Sequence, residues 1–133
     1  MNRVFAAILA LCMALPALAQ TPSGAQPAPD DRAKQWLMLI DDSNYTAGIA
    51  QMGAQTRKED IASLSRLREP MGAMSNRNLK DIKLEKTHPG MPAGQYAVVR
   101  YDSHFANRAT AVETVTLAML GTGSWAVVSY RVE

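Results

Sequence analysis

Three residues whose types could support acid–base chemistry lie close together: Arg100, Asp102 and His104. If residues 95–105 form a β-strand, alternate side chains point the same way, so these three share one face. An aspartate can orient a histidine as a general base, and an arginine can hold an anion. The alternative is a solvated outer face with a cross-strand salt bridge. The intervening residues are more uniformly apolar, which favours the outer position for the charged set; they are Ala97, Val99, Tyr101, Ser103 and Phe105.

A second candidate is Glu113, which lies in the next predicted strand. A short hairpin loop would pair Glu113 with Tyr101 on the apolar face. A buried carboxylate has to be paired or hydrogen-bonded. Glu113 would then be either a structural partner of Arg68, Arg77 or Arg131, or a polar anchor at the bottom of a ligand pocket. In the second case the ligand-binding candidates are Tyr101, Glu113 and Arg68.

Metal and thiol chemistry are not indicated by the sequence. The two histidines, His88 and His104, lie on different predicted elements with no ligand spacing between them. The single cysteine, Cys12, lies in the apolar N-terminal segment. We therefore expect no metal site and no cofactor.

The N-terminus predicts export. Residues 4–15 form an unbroken apolar run behind a single charge, Arg3, and an Ala-Leu-Ala triplet ends at Ala19 before Gln20. This combination is typical of a secretory signal peptide over residues 1–19. The run is about a dozen residues long, shorter than the ~20 that span a bilayer, so no stable membrane anchor is expected after cleavage. We therefore predict a periplasmic or secreted protein.

Cleavage would leave a chain with no cysteine and almost no net charge. The full sequence has 14 basic and 12 acidic residues, and removal of Arg3 leaves 13 basic residues against the same 12 acidic ones. Charges of the two signs alternate instead of forming a block. Nucleic-acid binding requires a concentrated positive field, so no nucleic-acid partner is expected.

One domain is expected after a short linker. Residues 20–30 contain three prolines and no large apolar side chain, which is typical of a disordered tether. Residues 31–133 are numerous enough to form one domain with its own core.

Helical periodicity begins at Asp31, with Asp30 or Asp31 available as the N-cap. The apolar residues spaced three and four apart are Ala33, Trp36, Leu37 and Ile40. Turn-forming residues at 41–44 interrupt the pattern, and a short second helix is predicted over residues 45–52.

A third helix is predicted after a capping box formed by Thr56 and Glu59. It should run until Pro70, which cannot continue a helix. Its apolar stripe consists of Ile61, Leu64 and Leu67.

After Gly72 the apolar period changes to two, and four strand candidates follow over residues 75–87, 95–105, 109–120 and 124–132. The first carries alternating charges and suits an exposed edge, where lysines discourage aggregation between sheets. Residues 88–94 must form a loop. Short connections between the last three strands force antiparallel neighbours. The predicted fold class is α+β, with N-terminal helices packed on a four-stranded antiparallel curved sheet.

The register of the last strand is left open by the sequence. With a two-residue turn, the inward residues are Ala126, Val128, Tyr130 and Val132. With a three-residue turn, they are Trp125, Val127 and Ser129. Periodicity does not choose between the two registers.

A series of short motifs resembles a known family. In order, the motifs are Trp36-Leu37, Asp41, Tyr45, Arg68-Glu69-Pro70-Met71-Gly72, Arg77, Pro89-Gly90, Gly94, Tyr96, Phe105, Glu113-Thr114-Val115-Thr116-Leu117, Gly123, Trp125 and Tyr130. Their order and spacing resemble the secreted bacterial family known as domain of unknown function 4019 over nearly all of residues 31–133. That family is similar to the nuclear transport factor 2 and cystatin groups, so the resemblance implies a cone-shaped α+β fold with a cavity. It implies no reaction.

The leading hypothesis is a non-enzymatic exported domain that binds a small molecule or a periplasmic protein. The first alternative is a small hydrolase or isomerase that uses Asp102 and His104, which requires both side chains to face inward. The second is a structural homodimer formed through the sheet, for which Tyr96 and Val98 would supply apolar contacts.

Overall fold

The computed structural model describes residues 27–53 and 60–133. In chain order the elements are α1 (Pro29–Asp41), α2 (Tyr45–Ala50), α3 (Ile61–Arg68), a 3₁₀ turn (Glu69–Met71), β1 (Met74–Glu85), β2 (Tyr96–Phe105), β3 (Arg108–Met119) and β4 (Trp125–Val132). The predicted cleavage site at Ala19 and Gln20, most of the predicted linker, and the capping box of Thr56 and Glu59 lie outside the described residues. No helix within the described ranges is long and apolar enough to cross a membrane.

Helix α1 begins two residues earlier than predicted, and the predicted N-cap is wrong. Its N-cap is Ala28, which makes no side-chain capping bond, and Pro29 occupies the first turn. Proline is favoured there because it has no N–H to satisfy and its φ is already helical. Asp30 and Asp31 fall inside the first turn, where negative charge interacts favourably with the helix dipole. The buried face is as predicted and consists of Ala33, Trp36, Leu37 and Ile40.

Helix α2 is short and is held at both ends by side chains. The Asn44 side chain accepts a hydrogen bond from the Ala47 backbone N–H at 3.3 Å, which caps the N-terminus. The indole Nε1 of Trp36 donates to the Gly48 carbonyl at 2.9 Å. Because Trp36 lies on α1 and Gly48 lies on α2, this bond links the two helices where they pack against each other.

Two of the three residues predicted for the apolar stripe of α3 face the core, since Leu64 is buried and Leu67 packs partly buried against it, but Ile61 does not. Its N-cap is Asp60, whose side chain accepts from the Ser63 N–H at 2.7 Å. The buried residues are Leu64 and Arg68, whereas Ile61 is 46% exposed. A charged side chain, Arg68, is therefore part of the buried face of α3, and Ile61 lies outside that face.

The four strands form one antiparallel sheet in the order β1-β2-β3-β4. This open sheet, preceded by the helices, confirms the predicted α+β class, and each strand begins and ends within two residues of its predicted bounds. The predicted hairpin register is also confirmed, because Tyr101 lies opposite Glu113 and Val99 lies opposite Val115.

The helices pack on one face of the sheet. On β2 the inward residues predicted from alternation are all buried. Helix α1 contacts β2, β3 and β4. The main core joins residues of the first three helices to the inner faces of these strands; its buried members are Ala33, Trp36, Leu37, Ile40, Tyr45, Leu64, Ala97, Val99, Tyr101, Val115, Leu117, Val127 and Tyr130.

An irregularity in β4 makes each of the two predicted registers half correct. Thr116 pairs with Ser129, but the next residue, Leu117, pairs with Val127, so one residue of β4 is left over. Before this bulge Val127 points into the main core, and after it Tyr130 does so. A bulge inserts one residue and reverses the inward set along the strand.

The loop before β2 covers one end of the outer sheet face. The Tyr96 hydroxyl donates to the Pro92 carbonyl at 2.5 Å, and Met91 packs on the cluster formed by Tyr96, Ala118 and Val128. Tyr96 is consequently only 3% exposed. Tyr96 is therefore not available for a dimer contact, because the chain's own loop occupies that surface, while Val98 is half-buried and the dimer through the sheet stays a prediction.

Candidate functional site

The predicted acid–base set lies on the outer face of β2, and its members have separate partners. Arg100 donates from Nε to Asp81 at 2.7 Å. Asp102 faces Lys80 at 3.4 Å, with both side chains about half exposed. The His104 ring bonds to a backbone carbonyl of β3. Asp102 and His104 point away from the core, so the geometry does not meet the condition for the hydrolase or isomerase alternative.

The two histidines are also separate from each other. His88 lies in the loop before β2, where its Nδ1 is 3.0 Å from a Glu85 carboxylate oxygen, and His104 lies near the end of β2. Within residues 27–53 and 60–133, no group of three or more His, Cys, Asp or Glu side chains is arranged to hold a metal ion.

Glu113 is the centre of a buried polar network. The residue is fully buried, and its carboxylate accepts four hydrogen bonds. Arg77 donates from Nε at 2.7 Å and from Nη2 at 3.1 Å, while the Ser103 and Tyr130 hydroxyls each donate at 2.5 Å. A carboxylate offers about four lone-pair sites. Glu113 is therefore saturated by the protein and has no capacity left for a ligand.

Asp41 extends the network to the helices. Its two oxygens accept from Arg77 Nη1 at 2.7 Å and Nη2 at 2.9 Å. The same carboxylate accepts from Arg68 Nη2 at 2.6 Å. Positive and negative charges therefore alternate along the series of contacts from Arg68 to Asp41, Arg77 and Glu113, and two cations balance two anions. Such pairing is the condition under which charged side chains can be buried.

The network draws one side chain from each strand and from two helices. Its members are Asp41 (α1), Arg68 (α3), Arg77 (β1), Ser103 (β2), Glu113 (β3) and Tyr130 (β4). Burial opposes the charge on Arg77, but the hydrogen bonds that Arg77 donates to Asp41 and Glu113 outweigh it and raise the pKa of Arg77 above its ordinary value. The guanidinium therefore stays charged, and the network fixes the helices on the sheet.

Burial raises the pKa of the Tyr130 hydroxyl well above 10, and the negative charge of Glu113 raises it further. Below about pH 10 tyrosine is neutral in both folded and unfolded chains, so this contribution to stability is fully present. As the pH rises beyond that value, only the unfolded chain ionises, and the free energy of unfolding falls by about 1.4 kcal/mol per pH unit for each such tyrosine.

We therefore expect Tyr130→Phe to lose stability more slowly than the wild type as the pH rises above about 10. Urea unfolding at a series of pH values measures the slope. The pKa of Tyr101 is also raised, first by burial and then by Asp30, so Tyr101→Phe is a parallel variant. Equal slopes in Tyr130→Phe and the wild type would contradict the assignment.

The structure brings together some of the predicted ligand-binding residues but not all. Of the three arginines considered for Glu113, Arg77 is the partner, Arg68 pairs with Asp41, and Arg131 is exposed. Tyr101 lies opposite Glu113, but its hydroxyl donates to the Asp30 carbonyl at 3.2 Å.

Three network members were missed from the sequence: Asp41, Ser103 and Tyr130. In the sequence, Asp41 is one of the turn-forming residues 41–44 and one of the family motif positions, and neither feature indicates a buried ion pair. The one available signal was Ser103, a polar residue at an inward-facing strand position, since such a residue requires a hydrogen-bond partner.

Arg68 is the one network residue with unused hydrogen-bonding groups. It is 4% exposed, and its guanidinium carbon lies 4.3 Å from the centre of the Phe105 ring. Among the described residues, Nε and Nη1 of Arg68 have no hydrogen-bond partner. An unsatisfied buried donor costs about 1–3 kcal/mol, and such a group requires an explanation.

Arg68 borders a surface cleft of about 310 Å³ between the end of α1 and the 3₁₀ turn. The cleft is lined by Ile40, Asp41, Ser43, Tyr45, Arg68, Glu69, Gly72 and Ala73. Ser43, with φ of 59°, is the one non-glycine residue at positive φ in the described part of the chain. Asp41, whose side chain is 17% exposed, connects this cleft to the buried network. The cleft is thus the place where the network reaches the surface.

The comparisons with known proteins identify a family and nothing more specific. The family model described as "Protein of unknown function (DUF4019)" matches residues 32–130. Neither the curated proteins nor the solved structures gave a match. The matched range includes every member of the buried network. The chain belongs to the DUF4019 family.

Proposed function

We propose that this chain is an exported, non-enzymatic domain that binds a small molecule in the cleft beside Arg68. The observation that carries the proposal is the pair of unpartnered N–H groups on a guanidinium that is 4% exposed and borders that cleft. Both nitrogens have less than 1 Å² of accessible surface, so a ligand that supplies a hydrogen-bond acceptor would satisfy these donors after a small turn of the Arg68 side chain toward the cleft. The remaining charged groups of the network already satisfy one another.

The surroundings of Arg68 restrict the chemistry of the ligand. Asp41 balances part of the positive charge of Arg68 at 2.6 Å, and Glu69 adds a carboxylate to the cleft wall. A multiply charged anion would be repelled by these two carboxylates. A neutral or zwitterionic molecule with a carbonyl or single carboxylate acceptor fits better. A volume of about 310 Å³ is near the lower end of the ~300–1,000 Å³ typical of small-molecule sites.

Export is the second part of the proposal. The support is the N-terminal pattern of one arginine, an apolar run and a small-residue triplet before Gln20. The similarity of the family to the nuclear transport factor 2 and cystatin groups, whose cone-shaped folds enclose a cavity, agrees with a binding role.

The full chain, expressed in a bacterium with a periplasm and purified from that compartment, provides the test. The expected mass is that of residues 20–133, and a gentle native mass spectrum should show an additional small-molecule mass. Ala73→Trp, which fills the cleft from an exposed position on its wall, should remove that additional mass. Ala62→Trp, at an exposed position on α3 that does not line the cleft, is the matched control.

The outcomes separate the two parts of the proposal. An intact N-terminus in the cytoplasmic fraction would refute export. A ligand retained by Ala73→Trp would refute the cleft, and a bare protein mass would redirect the search to a periplasmic protein partner.

A further inference from the structure

Three large apolar side chains form an exposed strip on β1. Leu79, Ile82 and Leu84 are 44%, 39% and 70% exposed. They lie opposite three core residues of β2, namely Tyr101, Val99 and Ala97. Directly opposed residues in an antiparallel pair point to the same face. The strip therefore lies on the helix-covered side of the sheet, at a place that the helices within residues 27–53 and 60–133 do not reach.

The position of β1 explains why the strip is uncovered. Helix α1 packs on β2, β3 and β4, while β1 is the edge strand and pairs, within the described residues, with β2 alone. The opposite edge is different because Met52 bridges to Val127 of β4. An apolar edge with unpaired backbone groups is a template for another strand.

We propose that β1 pairs antiparallel with β1 of a second copy of this chain, which joins two four-stranded sheets into one of eight strands. Directly opposed residues must share a face. A two-fold axis between the strands therefore passes midway between one residue and the same residue of the second copy. The charges of β1 select that residue. With Ile82 on the axis, Asp81 lies opposite Lys83 of the second copy, and this pair occurs twice.

Neighbouring registers are less favourable. An axis at Asp81 or at Lys83 places identical charges opposite each other, which is destabilising. An axis at Leu84 also pairs opposite charges, Lys83 with Glu85, but only residues 83–85 then pair within β1, because β1 ends at Glu85. The Ile82 register also brings the two Ile82 side chains together on the helix side, at the centre of the contact. The charged residues of β1 thus disfavour most ways of pairing this edge with another strand and permit the Ile82 register.

The two charged groups remain available for this contact. Asp81 is 43% exposed although Arg100 holds it on the outer face, and Lys83 is 74% exposed. The contact of Lys83 with Glu85 at 3.1 Å is an exposed one and is easily exchanged. A bulge between Leu79 and Asp81 interrupts the regular ladder, so the paired stretch is short and we expect a dimer that depends on concentration.

Sedimentation velocity of the purified chain over a concentration series is the first measurement, and the wild type should shift from monomer to dimer. Lys83→Asp places two carboxylates opposite each other at both pairs and should weaken the dimer at least about tenfold. The triple variant Asp81→Lys/Lys83→Asp/Arg100→Glu exchanges the two charges, keeps an opposite charge beside residue 81 on β2, and should restore it. All three substitutions are at exposed side chains, so circular dichroism should show an unchanged fold.

Two further variants test the apolar strip. Ile82→Lys puts two cations on the axis and should abolish the dimer, while Leu120→Lys, at a 43% exposed leucine beyond the end of β3, should leave it unchanged. A monomer at every concentration would overturn the proposal and leave the strip to a different protein. Failure of the charge exchange to restore a dimer weakened by Lys83→Asp would overturn the register, and a dimer indifferent to Ile82→Lys would overturn the edge pairing.

Discussion

Replacing Arg77 with methionine should lower the free energy of unfolding by about 3–5 kcal/mol, the largest loss expected from a single substitution in this chain. Arg77 makes two hydrogen bonds to Asp41 and two to Glu113. Without it, Glu113 is a fully buried carboxylate with no cation beside it. Total stabilities of ~5–15 kcal/mol are usual, so the variant is expected to lose a large part of its folded population.

Urea unfolding followed by circular dichroism measures the loss. Arg66→Met is the matched control, because Arg66 is an exposed arginine of α3 that donates to one backbone carbonyl. The double variant Arg77→Met/Glu113→Leu should recover part of the stability, since an apolar replacement of a buried ion pair is often close to neutral. A double variant less stable than Arg77→Met would show that the penalty does not come from the unpaired Glu113.

Replacing Glu113 with glutamine should cost roughly 3 kcal/mol although the side chain keeps its shape. The amide presents N–H donors where the carboxylate accepted four hydrogen bonds from Arg77, Ser103 and Tyr130. At least one of these donors then meets another donor, and Arg77 loses one of its two counter-charges. For a domain of this size the melting temperature should fall by more than about 10 °C.

A thermal melt checks this, with Glu133→Gln as the control at an exposed carboxylate. A melting temperature within a few degrees of the wild type, together with loss of a bound small molecule, would instead support Glu113 as the polar anchor of a ligand pocket. A third outcome is that Glu113→Gln is destabilised but still holds a ligand in the Arg68 cleft at low temperature. Glu113 would then have a structural role and Arg68 a binding role.

Local patterns were sufficient for the fold because each of them has a direct physical cause. A period of two places alternate side chains of β2 on opposite faces, and a short hairpin then determines which residue of β3 lies opposite Tyr101. These two facts placed Glu113 inside the protein and the charged set of Arg100, Asp102 and His104 outside.

Where local patterns failed, a backbone irregularity or a long-range contact was responsible. The bulge in β4 gave Val127 and Tyr130 the same inward orientation, which a strict period of two forbids. On α3 the buried position of Arg68 depends on Asp41, 27 residues away in sequence.

The order of helices and strands, the antiparallel meander and the inward orientation of Glu113 follow from local sequence patterns, because propensity, turn chemistry and alternation act over a few residues. The partners of that carboxylate follow from tertiary packing alone. Arg77 is 36 residues from both Asp41 and Glu113, and nothing in local periodicity specifies which distant cation a buried anion will meet. That choice is made by packing and by the cost of leaving a buried charge unpaired.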